Sequence, residues 1–353
     1  IWWLHQQMST FEPFFAALGL TEWCKGETGQ ISNLTSLADL AAKAKGEDKA
    51  ILSIWEFPFP SMDALHASCP AFPKSRELSK GIETVFLDIK DSLSLVLDPL
   101  TQPLSWLLQG SLWLFETTPW WMMIPLLLAL VMLVGRSRML VAFVAVCLFG
   151  IAFVDYYTFA AQTLAVIFVC SILCVIMGVP VGIAMSRSDR LQRALIPILD
   201  MLQTLPAFVY LIPLIFLFSV TEPKLYGIAI ILYAIVPVIR LTDLGIRLVD
   251  EEVIEAATAY GLTERQKLTK VQIPLALPNI MAGINQTIMM SLAMVVIASL
   301  VSAPGLGVLV LRGIRNLELG VGLISGLGIV LLAIILDRVT KAALDRINAA
   351  HKY

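Results

Sequence analysis

Long runs of apolar residues constrain this chain more than any other feature. A helix that is apolar on every side must lie in hydrocarbon or deep in a very large core. Seven stretches qualify: 119–135, 139–155, 160–185, 205–220, 225–244, 283–303 and 321–337. A helix needs about 20 such residues to cross the ~30 Å bilayer core. The chain has 353 residues, 58% hydrophobic and 15% charged, with a mean hydropathy of +0.82. Soluble domains carry about 25% charged residues. The deficit predicts an all-α integral membrane protein of about seven transmembrane helices, with lipid as a partner. A net charge of −2 gives no basic surface for nucleic acid, so no nucleic-acid partner is expected. The first residue is Ile1, which predicts a natural start further upstream.

Residues 1–118 differ from the rest. They hold polar loops, prolines and amphipathic pieces. From Leu78 the apolar residues fall at Ile82, Val85, Phe86, Ile89, Leu93, Val96 and Leu97, with Glu83, Lys90 and Asp91 opposite. That spacing predicts an amphipathic helix on the membrane surface or against the bundle. Trp2–Trp3 and the run Trp106 to Phe115 suit an interface as well. Cys147, Cys170 and Cys174 lie in apolar runs and are expected to act as small hydrophobes. No metal site is expected. Cys24 and Cys69 lie in the polar region, where a disulfide is open but not established by spacing.

Lys and Arg in the short loops set the orientation. Arg136 and Arg138, then Arg187, Arg190 and Arg193, then Arg247, Arg265, Lys267 and Lys270, and finally Arg338, Lys341, Arg346 and Lys352 fall on one side of a seven-helix layout. The opposite loops are poorer, with Arg312 and Arg315 in dissent. The basic side is expected to be cytoplasmic, and the C-terminus with it. The resulting division is an extracytoplasmic region 1–118, two accessory transmembrane helices 119–155, a core 156–340 with a cytoplasmic loop 250–278, and a cytoplasmic tail 341–353.

Several functions lack their residues. There is no His-Glu-x-x-His, no Cys-x-x-Cys and no Gly-Lys dipeptide, hence no Walker phosphate loop. The chain is not expected to be an enzyme, and no catalytic residues or resident cofactor are expected in it. The interiors of 160–185, 205–220, 283–303 and 321–336 hold no Asp, Glu, Lys or Arg away from their ends. Proton- and voltage-driven machines depend on such groups. Sodium coupling through backbone carbonyls stays open.

The stretch Asp250 to Pro278 carries the most information. Asp250 is placed to cap a helix whose first turn holds Glu251 and Glu252. The helix runs through Glu255-Ala256-Ala257 to Tyr260, and Gly261 is suited to end it in the left-handed conformation. Thr263-Glu264-Arg265-Gln266 forms a capping box for a second helix, which Pro274 and Pro278 are expected to end. Two short helices around a sharp glycine turn would transmit a push from a soluble partner. The bland alternative is an ordinary amphipathic loop.

The pattern Glu255-Ala256-Ala257, Gly261 and Val271-Gln272-Ile273-Pro274 resembles the EAA loop of permeases of binding-protein-dependent ABC importers. Residues 203–211, 281–287 and 334–338 resemble in particular the permeases of glycine betaine/proline betaine importers, closely over 160–340 and only in layout over 78–159. The resemblance implies a type I importer permease core in a bacterial cytoplasmic (inner) membrane. It also implies a permease homodimer, two cytoplasmic ATP-binding subunits that hold ATP and Mg, and an extracytoplasmic substrate-binding protein. The implied cargo is a small methylated or quaternary amine: a betaine, choline, carnitine or trimethylamine N-oxide. Glu255, Ala256, Ala257, Gly261, Ile273 and Pro274 are the implied ATPase-coupling residues. An amino-acid permease, a sodium-coupled secondary carrier and a membrane scaffold or sensor are the competing readings.

A methylated ammonium is held best by several aromatic rings. Residues 261–352 contain no Phe, Tyr or Trp. The cage is therefore expected in a partner, or in aromatics such as Phe208, Tyr210 and Tyr233. Asn285, Gln286, Ser291 and Met294, with Phe208 and Tyr210, are the candidates for lining the path. Helix–helix hydrogen bonding is the other reading of the polar ones.

Overall fold

The computed structural model describes residues 75–350. Cys24, Cys69 and Trp2–Trp3 lie outside them. Every regular element among the described residues is helical: α1 Ser75–Thr117, α2 Trp120–Gly135, α3 Arg138–Phe153, α4 Tyr157–Ser186, α5 Asp189–Thr204, α6 Leu211–Leu217, α7 Pro223–Arg247, α8 Glu251–Ala259, α9 Glu264–Lys267, α10 Ile273–Ala298, α11 Leu306–Arg315 and α12 Leu319–Ala350. In lipid the helix is the element that satisfies its own backbone.

The described residues divide into two units between Ile89 and Lys90. In the first, the described start of α1 exposes Leu78, Ile82, Val85 and Ile89, the apolar positions of the sequence pattern. In the second, α7 is the central helix, flanked by α4 and α10.

Small residues bring these three helices together. A Cβ on Gly182 would lie 2.6 Å from Thr242 Cβ and 2.7 Å from the Ile239 carbonyl oxygen. One on Gly245 would lie 2.7 Å from Asn279 Cβ, and one on Gly283 3.1 Å from Val238 Cα. Lipid tails are as apolar as leucine, so close backbone approach replaces the hydrophobic effect as the driving force for association. Leu104 and Leu108 of α1 are buried, and Leu108 fills the space over Gly227. At the same end of α7, Lys224 Nζ is buried 2.7 Å from Asp98 and 2.8 Å from Glu222. Gly305 sits at φ 119 against Thr163, whose hydroxyl accepts from the Leu306 amide at 2.9 Å. A buried helix start is thereby satisfied from another helix.

Length and composition give four full crossings: α4, α7, the run Glu264–Val301 and the run Leu319–Arg346. Two bent pairs, Ser92–Thr117 with α2 at 114° and α5 with the following Ala207–Leu217 at 105°, raise the number to six if each counts once. Helix α3 has only 16 residues. The stretch 205–220 is therefore not a straight span. Leu205 precedes Pro206 and is extended (ψ 133), the conformation that proline imposes on its neighbour. Helix α6 beyond it has seven residues.

Candidate functional site

Helix α8 is built as its sequence dictates. The Asp250 side chain accepts from the Glu252 amide at 3.0 Å. At the other end Gly261 takes φ 77. The Gly261 amide donates to the Thr258 carbonyl at 2.9 Å and the Leu262 amide to the Ala257 carbonyl at 3.2 Å, the paired bonds of a Schellman ending. Thr263 and Gln266 then form the capping box, with the Thr263 amide donating to Gln266 Oε1 at 2.9 Å. Lys267 is buried and braces the two arms, donating to Thr258 Oγ1 at 3.2 Å and pairing with Glu264 at 2.6 Å.

The second arm departs from expectation. It does not end at Pro274. From α9 the chain passes through a π-helical turn, Leu268–Gln272, directly into α10, with Pro274 in the first turn of that helix. Proline's missing N–H costs least in a first turn, and the wider π turn accommodates its ring. The elbow is thus one short helix, a glycine corner and the foot of a long membrane helix. Glu255 and Ala256 are exposed on α8, whereas Ala257 faces inward. Glu251 and Glu252 are exposed on the same short helix, and Tyr260 is exposed at its C-cap. Ile273 and Pro274 are half-buried at the foot of α10.

Residues 174–349, which include the whole elbow, match the family described as binding-protein-dependent transport system inner membrane component. The glycine betaine/carnitine transport permease protein GbuB of Listeria monocytogenes serotype 1/2a (strain 10403S) is 42% identical over 234 residues, 65% of this chain and 82% of that protein. The chain belongs to this family of transport permeases. It is a multi-pass membrane protein. The glycine betaine/proline betaine transport system permease protein ProW of Escherichia coli (strain K12) is 47% identical over 198 residues, 56% of this chain and 55% of that protein. The trimethylamine N-oxide transport system permease protein TmoV of Ruegeria pomeroyi (strain ATCC 700808 / DSM 15171 / DSS-3) is 40% identical over 191 residues, 54% of this chain and 29% of that protein. The chain spans about half the length of ProW.

Within this permease chain, the candidate path residues separate. Asn285 Nδ2 donates to Asp337 Oδ1 of α12 at 3.0 Å. The Ser291 hydroxyl is fully buried and accepts from Ser171 of α4 at 3.4 Å. Met294 is fully buried. Tyr210 is buried, with its hydroxyl donating to the Leu202 carbonyl of α5. In a single protomer these four stand inside helix packing. Phe208 is 57% exposed on a 3-10 turn, Ala207–Tyr210, that packs against α10. Gln286 is exposed at mid-span, with no hydrogen-bond partner among the described residues. It stands on an exposed stripe with Leu275, Pro278, Ala282 and Ala293.

An apolar cleft lies among α2, α3, α4 and α12, lined by residues such as Leu130, Val144, Leu164, Phe168 and Ile335. Its one hydroxyl, on Ser171, already serves Ser291. A zwitterion has no partner there.

One polar assembly was not singled out from the sequence. Arg247, at the end of α7, donates to Asp243 at 2.9 Å, to Asp189 at 2.8 Å and to the Met185 carbonyl at 2.9 Å. Gln192 completes the group by donating to Asp243 at 2.7 Å. The available signal was the helical spacing of Arg240, Asp243 and Arg247 at the end of an otherwise apolar span.

Proposed function

We propose that the chain is the membrane-spanning subunit of an ABC importer, which moves a small methylated or quaternary amine into the cytoplasm while partner subunits hydrolyse ATP. The observation that carries this is the elbow. A short helix with an exposed Glu255–Ala256 face is held rigidly by the Schellman corner and the Lys267 brace, and beyond that corner the chain runs through α9 into α10. A secondary carrier or scaffold has no use for a braced docking helix at the foot of a transport helix. The betaine, carnitine and trimethylamine N-oxide relatives support the cargo class.

The Gln286 stripe supports a path between two copies. A carboxamide facing hydrocarbon without a partner costs several kcal/mol. Facing water or a second protomer, it costs far less. Asn285, Ser291 and Met294 then support the wall, and Gln286 and Phe208 meet the cargo. The elbow side of the membrane is the cytoplasmic side in this reading, as is the C-terminus. A separate extracytoplasmic protein supplies the tight cation site.

The test is copurification of ATP-binding subunits with the tagged chain, followed by ATPase assay with a betaine-loaded binding protein. Stimulated hydrolysis that is lost in Glu255→Lys supports the reading. A chain that purifies without any ATPase and takes up betaine in a sodium gradient overturns it.

A further inference from the structure

Helix α5 lies antiparallel to the last turns of α7, because Asp189 meets Arg247 while Asp200 meets Arg240. Asp189, Gln192 and Asp200 fall on one face of α5. Arg240, Asp243 and Arg247 fall on one face of α7. The two faces form a polar zipper beside an apolar seam of Met185, Leu199, Val236 and Ile239.

Arg247 closes the end of this zipper. Its guanidinium binds two carboxylates and the Met185 carbonyl in the last turn of α4, which also accepts from the Ser188 amide at 3.1 Å. It therefore joins the α4–α5 corner to the end of α7. Three residues later Asp250 caps the elbow helix. At the far end of α5 the 105° bend is tied by the bond from the Tyr210 hydroxyl to the Leu202 carbonyl.

We propose that Arg247 is a positioning residue for energy coupling, acting through the zipper. The Arg247 clamp makes the end of α7, the α4–α5 corner and α5 one rigid body. A displacement of the elbow is then delivered to the bent α5–α6 pair as well as to α10. The inference rests on the permease reading above. Its physical basis is that this charge network is a poor stability device: Asp189 is 74% and Asp200 53% exposed, and exposed ion pairs contribute little to stability. What the network does supply is fixed geometry, because a planar guanidinium holds several acceptors in set directions. The Asp243 side chain is 8% exposed, so its two bonds are shielded from water.

The experiment uses the complete complex of the chain with its ATP-binding subunits and binding protein in liposomes, with radiolabelled glycine betaine. The readout is betaine moved per ATP hydrolysed. A variant that merely unfolds loses both rates together and leaves this ratio unchanged. Arg247→Ala and the milder Asp189→Ala, whose side chain is 74% exposed, are expected to lower the ratio about tenfold, within the range of a coupling free energy. In a background without other cysteines, Asp189→Cys/Arg247→Cys is expected to be uncoupled. It should regain its ratio when a bifunctional thiosulfonate bridges the pair, and lose it again on reduction. Unchanged ratios in both alanine variants overturn the inference, as does a bridge that leaves the pair uncoupled. A wild-type complex that neither binds ATP-binding subunits nor moves betaine overturns the permease reading itself, a distinct outcome.

Discussion

Lys267 Nζ reaches Thr258 Oγ1 at 3.2 Å across the Gly261 corner, so the two arms of the elbow are fixed by a side-chain bond as well as by their caps. Lys267→Met keeps the buried stem and removes the donor. It is expected to leave membrane insertion unchanged and to reduce betaine-stimulated ATPase activity. Equal stimulation in variant and wild type would show that the brace is not needed.

Gly261 is open to a side chain in space but not in backbone conformation. No atom lies within 4 Å of a Cβ built there, yet φ is 77. Gly261→Ala carries about 1 kcal/mol of left-handed strain and is expected to retain most coupling. Gly261→Pro cannot reach positive φ and is expected to abolish it. Assembly measured by copurification, beside the ATPase rate, separates lost docking from lost folding.

Glycines in the helix seams behave in the opposite way. Gly182→Ala places a methyl group 2.6 Å from Thr242 Cβ. It is expected to cost ~1–3 kcal/mol through overpacking. Gly110→Ala on α1 meets nothing within 4 Å, and is expected to be neutral or to gain ~0.5–1 kcal/mol. Thermal unfolding in detergent should rank the two in that order.

The loop after α11 has a pH signature. Glu318 accepts from Asn316 at 3.0 Å and pairs with Arg312 at 3.2 Å, and these hold its carboxyl below the usual glutamate range. A lowered pKa stabilises the folded loop above the unfolded-state pKa, and the contribution disappears as pH falls through the folded-state value. Proteolysis near Arg315 is expected to rise on acidification in wild type. In Glu318→Gln it should be flat across the same acidic range.

The elbow was legible because its determinants are local. Asp250, Gly261 and the Thr263–Gln266 pair each act within a few residues, and each does what its type and position imply. The central spans were legible as well: 160–185 and 225–244 became Tyr157–Ser186 and Pro223–Arg247. Two proline effects were misjudged. Pro206 breaks the stretch 205–220, whereas Pro274 starts a helix instead of ending one. The difference lies in the neighbouring turns, which packing selects. The Arg247 clamp joins residues 58 apart in sequence, and no local pattern reports such a pairing. For the path residues, polarity alone did not tell Gln286, which is exposed, from Asn285 and Ser291, which bond to other helices.

Cysteine scanning distinguishes these positions. In a cysteine-free background, Gln286→Cys is expected to react with a water-soluble thiol reagent in the assembled complex. Ser291→Cys and Met294→Cys, both fully buried, should react poorly. Rapid labelling of Met294→Cys with none at Gln286→Cys would move the path to the other face of α10.

All of the coupling outcomes above depend on the exposed face of α8 docking on an ATP-binding subunit. A photoreactive amino acid at Ala256, in membranes containing the co-expressed ATP-binding subunits, tests this most directly. The expected result is a cross-link from Ala256 to the ATP-binding subunit, and none from Val220 beyond α6. No cross-link from Ala256 in a complex that still transports betaine would contradict it.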